Sequence, residues 1–212
     1  MRIGIDFDNT IICYDQVFCE LAIDWQLVPS DFNGTKQQLR DQLQALPEGD
    51  TVWQKLQGKV YGEYIDRAML FTGITEFLMV CRQLAIPVFI VSHKTEYGHF
   101  DEKRILLRDV SRQWLDQQGF FRDPSPLVNT EHVFFEPTRE DKIARIKHLQ
   151  CTHFIDDLIE VLGSPLFPTT IQRILFKPLA NASMPESNVN EAHALQVFSS
   201  WKDIRNALFN SN

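Results

Sequence analysis

Two carboxylates stand two residues apart near the start of the chain, in Asp6-Phe7-Asp8-Asn9-Thr10, where the short apolar strand predicted over Arg2 to Phe7 ends abruptly in acids. At a strand tip such a pair can divide labour, one carboxylate attacking phosphorus while the other manages a proton. A carboxylate becomes a workable nucleophile toward a phosphate once a cation screens the repulsion between two anions. The same residues also suit plainer roles. Asp8, Asn9 and Thr10 can cap a helix or shape a turn, and an Asp-x-Asp pair can hold a metal-nucleotide.

Three further places carry matching chemistry. Asp156-Asp157 follows the apolar segment Thr152 to Ile155. Magnesium takes oxygen ligands, commonly one or two protein carboxylates plus substrate phosphate, and crowded acids repel until a divalent ion relieves them. Helix capping before Leu158 to Leu162 is the alternative use of this pair. Ser92 closes the run Ile86-Pro87-Val88-Phe89-Ile90-Val91 with a hydroxyl where a phosphoryl oxygen needs a donor. His93 and Lys94 follow directly, and either reach a ligand's anionic or hydroxyl groups or begin a solvated loop. Thr138-Arg139-Glu140-Asp141 has the form of a capping box, which places Lys142 close to a helix start. A cation there opposes the helix dipole, so its presence asks for a reason, whether neighbouring acids or a ligand. Lys147 is the rival, but five residues at about 100° each put it on another face.

The elements that must position these residues follow a clear rhythm. Apolar residues at Val17, Phe18, Leu21, Ala22 and Trp25 repeat at helical spacing, and helices are predicted over Tyr14 to Leu27, Lys36 to Leu46 and Thr51 to Met69. No strand is legible there, so residues 14–70 read as a small all-helical insert. From Gly73 onward helices alternate with strands. Helices are predicted over Ile74 to Leu84, Lys103 to Gln118 (with Gly119 as its cap) and Thr138 to Gln150. Strands are predicted at Ile86 to Val91, His132 to Phe135, Thr152 to Ile155, Arg173 to Phe176 and Leu195 to Phe198, with a terminal helix from Trp201. Asn181 to Asn190 reads as a polar surface loop. Alternation of this kind predicts an α/β fold, a doubly wound parallel sheet made of residues 1–13 and 71–212. Ligands bind such sheets at the carboxyl ends of the strands, and Asp6, Asp8, Ser92, Asp156 and Asp157 all fall there.

Bulk properties narrow the partners. The 212 residues carry a formal charge of −7, with 44% hydrophobic and 23% charged residues. That balance argues against a general nucleic-acid binder, which needs a basic face. No apolar run approaches the roughly 20 residues of a membrane span. Acidic residues come too early for a secretory signal. Cys13, Cys19, Cys81 and Cys151 form no Cys-x-x-Cys pair and read as reduced thiols. The cytoplasm is the expected location, and oligomeric state is not legible.

Taken in order, Asp6, Asp8 and Thr10, then Ser92, Lys142, and Asp156 with Asp157, the chain resembles the haloacid dehalogenase-like hydrolase superfamily from residue 1 to about 176. The resemblance implies a Rossmann-like core with a helical cap inserted after the first motif. It also implies a magnesium-dependent phosphatase acting on a small phosphorylated metabolite, a sugar phosphate or nucleotide monophosphate, through an aspartyl-phosphate. In that reading Asp6 is the nucleophile and Asp8 the acid and base. Ser92 and Lys142 hold phosphoryl oxygens, with Thr10 and His93 at the same phosphate site. Magnesium is held by Asp6, the backbone carbonyl of Asp8, Asp156 and, through water, Asp157. Asp8 argues against dehalogenation, since the dehalogenases lack an acid there. A phosphomutase or other phosphotransferase is the nearer alternative, and a non-catalytic binding module the more distant one.

Overall fold

The computed structural model describes residues 1–178 and 195–209; the predicted surface loop Asn181 to Asn190 lies outside them. The chain forms two compact units.

The first unit comprises Met1–Ile12, Leu70–Lys94 and the chain from Asp116 onward. Its sheet is built from β1 (Ile3–Ile5), β4 (Val88–His93), β5 (Val133–Glu136), β6 (His153–Asp156), β7 (Gln172–Phe176) and β8 (Gln196–Phe198). These lie in the order β5-β4-β1-β6-β7-β8, every neighbouring pair parallel. All of β1 is buried, as are Val88 to Ser92 of β4, which is why these strands read as unbroken apolar runs. A helix α6 (Arg139–His148) lies over β4 and β5, and α7 (Ile159–Leu162) over β6 and β7. Helix α4 (Ile74–Gln83) packs on α8 (Trp201–Phe209), with the rings of Phe77 and Trp201 5.0 Å apart. Gly4 is needed where it stands: a Cβ there would lie 2.5 Å from the Phe154 ring.

Because β1 pairs with β4 on one side and β6 on the other, chain connections diverge on either side of it. Ile5 is in register with Ile90 and with Ile155. The next residues along, Asp6, Val91 and Asp156, therefore share one level at the carboxyl edge, with Ser92 and His93 just beyond.

The second unit comprises Cys13–Met69 and Thr95–Leu115. Helices α1 (Asp15–Asp24), α2 (Lys36–Gln44) and α3 (Gly49–Tyr61) pack on one another, with Phe18 stacked on Trp53 at 5.0 Å. Thr35 and Gln38 make a capping box that starts α2. The third helix stops at Tyr61 rather than Met69, because Gly62 leaves helical backbone geometry. The strand missed in this stretch is Met69–Leu70 (β3), paired with Ile12–Cys13 (β2). Two residues are too few for an alternating pattern to register.

Residues 95–115, expected in the core, cluster instead with the helical unit. The cause is backbone contact. Gly58 of α3 meets the loop at Gly98 and His99 so closely that a Cβ at Gly58 would lie 2.6 Å from the His99 carbonyl. Lys103 pairs with Glu63 at 2.6 Å, and the Trp114 indole donates to the Ala68 carbonyl at 3.3 Å. Asp101 accepts hydrogen bonds from the backbone N–H groups of Lys103 and Ile105. Helix α5 accordingly starts at Leu107 (Leu107–Gln117) rather than Lys103. Lys36 donates to the Tyr61 hydroxyl at 2.7 Å and sits over the Phe18 and Tyr61 rings.

All four cysteines are free, and burial pushes the Cys81 thiol up to about 12 and Cys151 up to about 11. Among the described residues no helix is long and apolar enough to cross a membrane.

Candidate active site

Every residue singled out by its chemistry lies in the first unit. Asp6 leaves the end of β1 with 3% exposure, its N–H donating to the Ile155 carbonyl of β6 at 2.8 Å. The chain then turns tightly. The N–H groups of Ile11 and Ile12 both donate to the Phe7 carbonyl, and Asn9 takes a left-handed φ of 56° that Asn tolerates well. Thr10 is fully buried. Its carbonyl accepts from the Trp201 indole at 3.0 Å, while its hydroxyl has no hydrogen-bond partner among the described residues. A buried polar atom in that state calls for an explanation, and a ligand is one.

Lys142 forms the centre. Its ammonium, fully buried, donates to Asp6 Oδ1 at 2.5 Å and to Asp156 Oδ2 at 2.7 Å. Lys147 is exposed. Thr138 caps α6 by accepting from the Asp141 N–H, but the Asp141 side chain bonds back to the Thr138 hydroxyl rather than to its backbone, so the reciprocal box is incomplete. Burial pushes the Lys142 ammonium toward its neutral form. The charges and hydrogen bonds of Asp156 and Asp6 outweigh that and raise it above the ordinary lysine value.

Asp156 is likewise fully buried, with Oδ1 accepting the Leu158 N–H at 3.0 Å. Burial, reinforced by the negative charge of Asp6, pushes its carboxyl up to about 6 against the pull of Lys142. Asp6, Asp156 and Asp157 each present an oxygen within 4.8 Å of the others. Lys142 pairs with two of these three carboxylates, and a magnesium ion fits such a set of hard oxygen donors. Asp8 is not a member of this carboxylate cluster. Its side chain turns to Lys94, with Nζ–oxygen distances of 3.0 and 2.9 Å. The part expected of Asp8 in holding metal was its backbone carbonyl.

Ser92 is buried at the end of β4, and His93 is half-buried beside it. Burial lowers the His93 pKa and the Lys142 charge lowers it further, so the imidazole is neutral at pH 7. Its Nδ1 is buried without a partner among the described residues. Lys94 was the residue whose setting could not be read in advance. It is buried, not the start of a solvated loop. No periodicity could have shown this, because its partner lies 86 residues away.

The fold is found among solved structures. The HAD-hydrolase YfnB from Bacillus subtilis, solved bound to magnesium, superposes with a TM-score of 0.57 at 14% identity, over 98% of each chain. The fold is that of the haloacid dehalogenase-like hydrolases. A HAD family hydrolase from Deinococcus radiodurans R1, solved with phosphate and sodium, matches at TM-score 0.54 and 13% identity, covering 99% of this chain and 95% of that one. Protein Tyrosine Kinase A of Mycobacterium tuberculosis matches at 0.59 and 13%, covering 98% and 97%. At such identities the likeness is one of fold. No protein-family model and no curated protein matches the sequence.

Proposed function

We propose that the protein is a magnesium-dependent phosphatase that hydrolyses a small phosphate monoester through an aspartyl-phosphate on Asp6. The observation that carries this reading is the buried Lys142 bridging Asp6 and Asp156 at the carboxyl edge of a parallel sheet. A fully buried lysine between two buried acids is costly to assemble, and a site for phosphoryl transfer gives that cost a purpose.

Asp6 attacks phosphorus in line: an Asp6 oxygen–phosphorus bond forms and the ester phosphorus–oxygen bond breaks. The Asp8 carboxyl gives its proton to the leaving oxygen. Water then attacks phosphorus, Asp8 takes its proton, and the bond to Asp6 breaks, releasing phosphate. Lys142 holds the Asp6 carboxylate through Oδ1 and balances charge, the principal task in phosphoryl transfer. Ser92, the Thr10 hydroxyl and His93 bind phosphoryl oxygens, and a neutral imidazole with an unpartnered nitrogen can donate there without a second cation. Asp6, Asp156, Asp157 and the Asp8 carbonyl are the groups that would hold magnesium. When bound, the ion supplies screening between the Asp6 carboxylate and the phosphoryl oxygens. Small phosphorylated metabolites, sugar phosphates or nucleotide monophosphates, are the proposed substrates, and no nucleic acid or membrane partner is proposed.

The test is phosphate release from p-nitrophenyl phosphate and a panel of phosphorylated metabolites with magnesium. Multiple turnovers are expected, abolished by EDTA and by Asp6→Asn with the fold intact. Full activity in that variant or in chelator would overturn the reading. Transfer of phosphate between substrates without release would point instead to a mutase.

A further inference from the structure

Lys94 has no place in the steps above, yet it is one of the buried charged residues of the first unit. Its side chain is 2% exposed, and lysines are almost never buried unless paired. Its partner is the carboxyl of Asp8, and the grip takes both oxygens, at 3.0 Å to Oδ1 and 2.9 Å to Oδ2. A contact to one oxygen leaves a carboxyl able to turn about its own axis; a contact to both does not.

Lys94 is itself anchored. Its N–H donates to the Glu136 carbonyl of β5 at 2.7 Å. Its ammonium lies 5.4 Å over the ring of Phe7, which packs edge-on against Phe135 at 5.5 Å. Phe7 stands between Asp6 and Asp8, so the ring beneath the ammonium belongs to the same turn as the acid it holds. Asp8 needs such support. It sits in the turn beyond the strand with 17% of its side chain exposed, and without a partner it could point into solvent.

We propose that Lys94 is a positioning residue that aims the Asp8 carboxyl at the leaving-group oxygen. The inference rests on the acid–base role assigned to Asp8 in the proposed function. The ammonium can hold both forms of Asp8, the carboxylate through two oxygens and the acid through its carbonyl oxygen. The acid's proton passes to the ester oxygen as the Asp6–phosphorus bond forms and the ester bond breaks. An alkoxide depends on receiving that proton, while p-nitrophenolate departs without it.

The discriminating measurement is kcat/KM, which reads steps up to departure of the leaving group, for p-nitrophenyl phosphate and for glycerol phosphate. It is made with magnesium on wild type, Lys94→Met and Asp8→Asn. Positioned acid–base groups contribute about 10²–10⁴-fold. Lys94→Met should therefore lose about 10- to 100-fold more on the alkyl ester than on the aryl ester, in the direction shown by Asp8→Asn. Equal losses on both esters would make Lys94 a structural residue and overturn the proposal. Should the methionine variant not fold, Lys94→Arg, whose guanidinium can take both Asp8 oxygens, should keep the wild-type alkyl-to-aryl ratio; a ratio shifted as far as in Asp8→Asn would overturn it. A crystal structure of the folded variant gives a reading independent of turnover. In Lys94→Met the Asp8 carboxyl should leave its present orientation, and an unmoved carboxyl would refute the positioning role. Failure of wild type to hydrolyse either ester defeats the proposed function, and the crystal structure then decides the role of Lys94 alone.

Discussion

Replacing Lys142 with Met removes the one ammonium that joins Asp6 and Asp156, while keeping a side chain of similar length in a fully buried position. At an effective dielectric of about 20, a charge pair at the 2.7 Å of the Asp156 contact is worth about 6 kcal/mol before solvation. Desolvating the lysine takes back several kcal/mol of that, and breaking a buried pair from one side typically costs about 3–5 kcal/mol. For a chain of this size the melting temperature should fall by about 6–20 °C in metal-free buffer at neutral pH. The sign with pH is fixed by both partners. Lys142 is raised above the ordinary lysine value, so its own titration leaves the stabilisation intact below about pH 10 and removes it only in strong alkali. In the variant, Asp156 can take up a proton, so the deficit should shrink toward pH 5. Magnesium should stabilise the variant more than wild type, because the ion replaces a missing positive charge. Urea unfolding with a two-state fit supplies the numbers. A deficit under about 1 kcal/mol, or one unchanged by pH and magnesium, would refute the electrostatic account of the site.

Other outcomes follow from the same geometry. Burial pushes Asp156 up to about 6, above its unfolded value, so its share of stability falls as pH rises from about 4 to 6. A magnesium ion held by Asp156 would compete with that proton, so its thermal stabilisation of wild type should be larger at about pH 7.5 than at about pH 5; equal shifts would count against Asp156 as a ligand. Asp156→Asn should raise the magnesium concentration giving half-maximal phosphate release by at least about tenfold, and an unchanged requirement would remove this residue from the metal site. In the helical unit, Gly58→Ala would put a Cβ 2.6 Å from the His99 carbonyl and should cost about 1–3 kcal/mol, with faster hydrogen exchange in residues 95–106. Wild-type exchange there would mean that loop is not pinned to α3.

Much of the core was legible because parallel strands covered on both faces write continuous apolar runs, as Val88 to Val91 do, and because their carboxyl ends are where Asp6, Ser92 and Asp156 fall. Pairing order was not legible as such, but right-handed crossovers leave few arrangements. Lys142 could be favoured over Lys147 from helical angles and its unfavourable place near a helix start. What was hidden depends on contacts distant in sequence. Lys94 meets Asp8 across β4 and β1, and nothing local to Lys94 records it. Residues 95–115 follow a core strand, so their grouping with α3 rests on the Gly58–Gly98 approach, which two glycines far apart do not announce. Strands β2 and β3 are two residues each, too short for any periodicity.

The central claim is a covalent phosphoryl group on Asp6. It is tested most directly by acid-quenching the protein while it turns over a phosphate ester with magnesium, then reducing with borohydride, which converts an aspartyl-phosphate to homoserine. Peptide mass spectrometry should find homoserine at position 6, absent without substrate and absent in Asp6→Asn. Sustained phosphate release with aspartate intact at position 6, or with homoserine at another aspartate, would contradict the account.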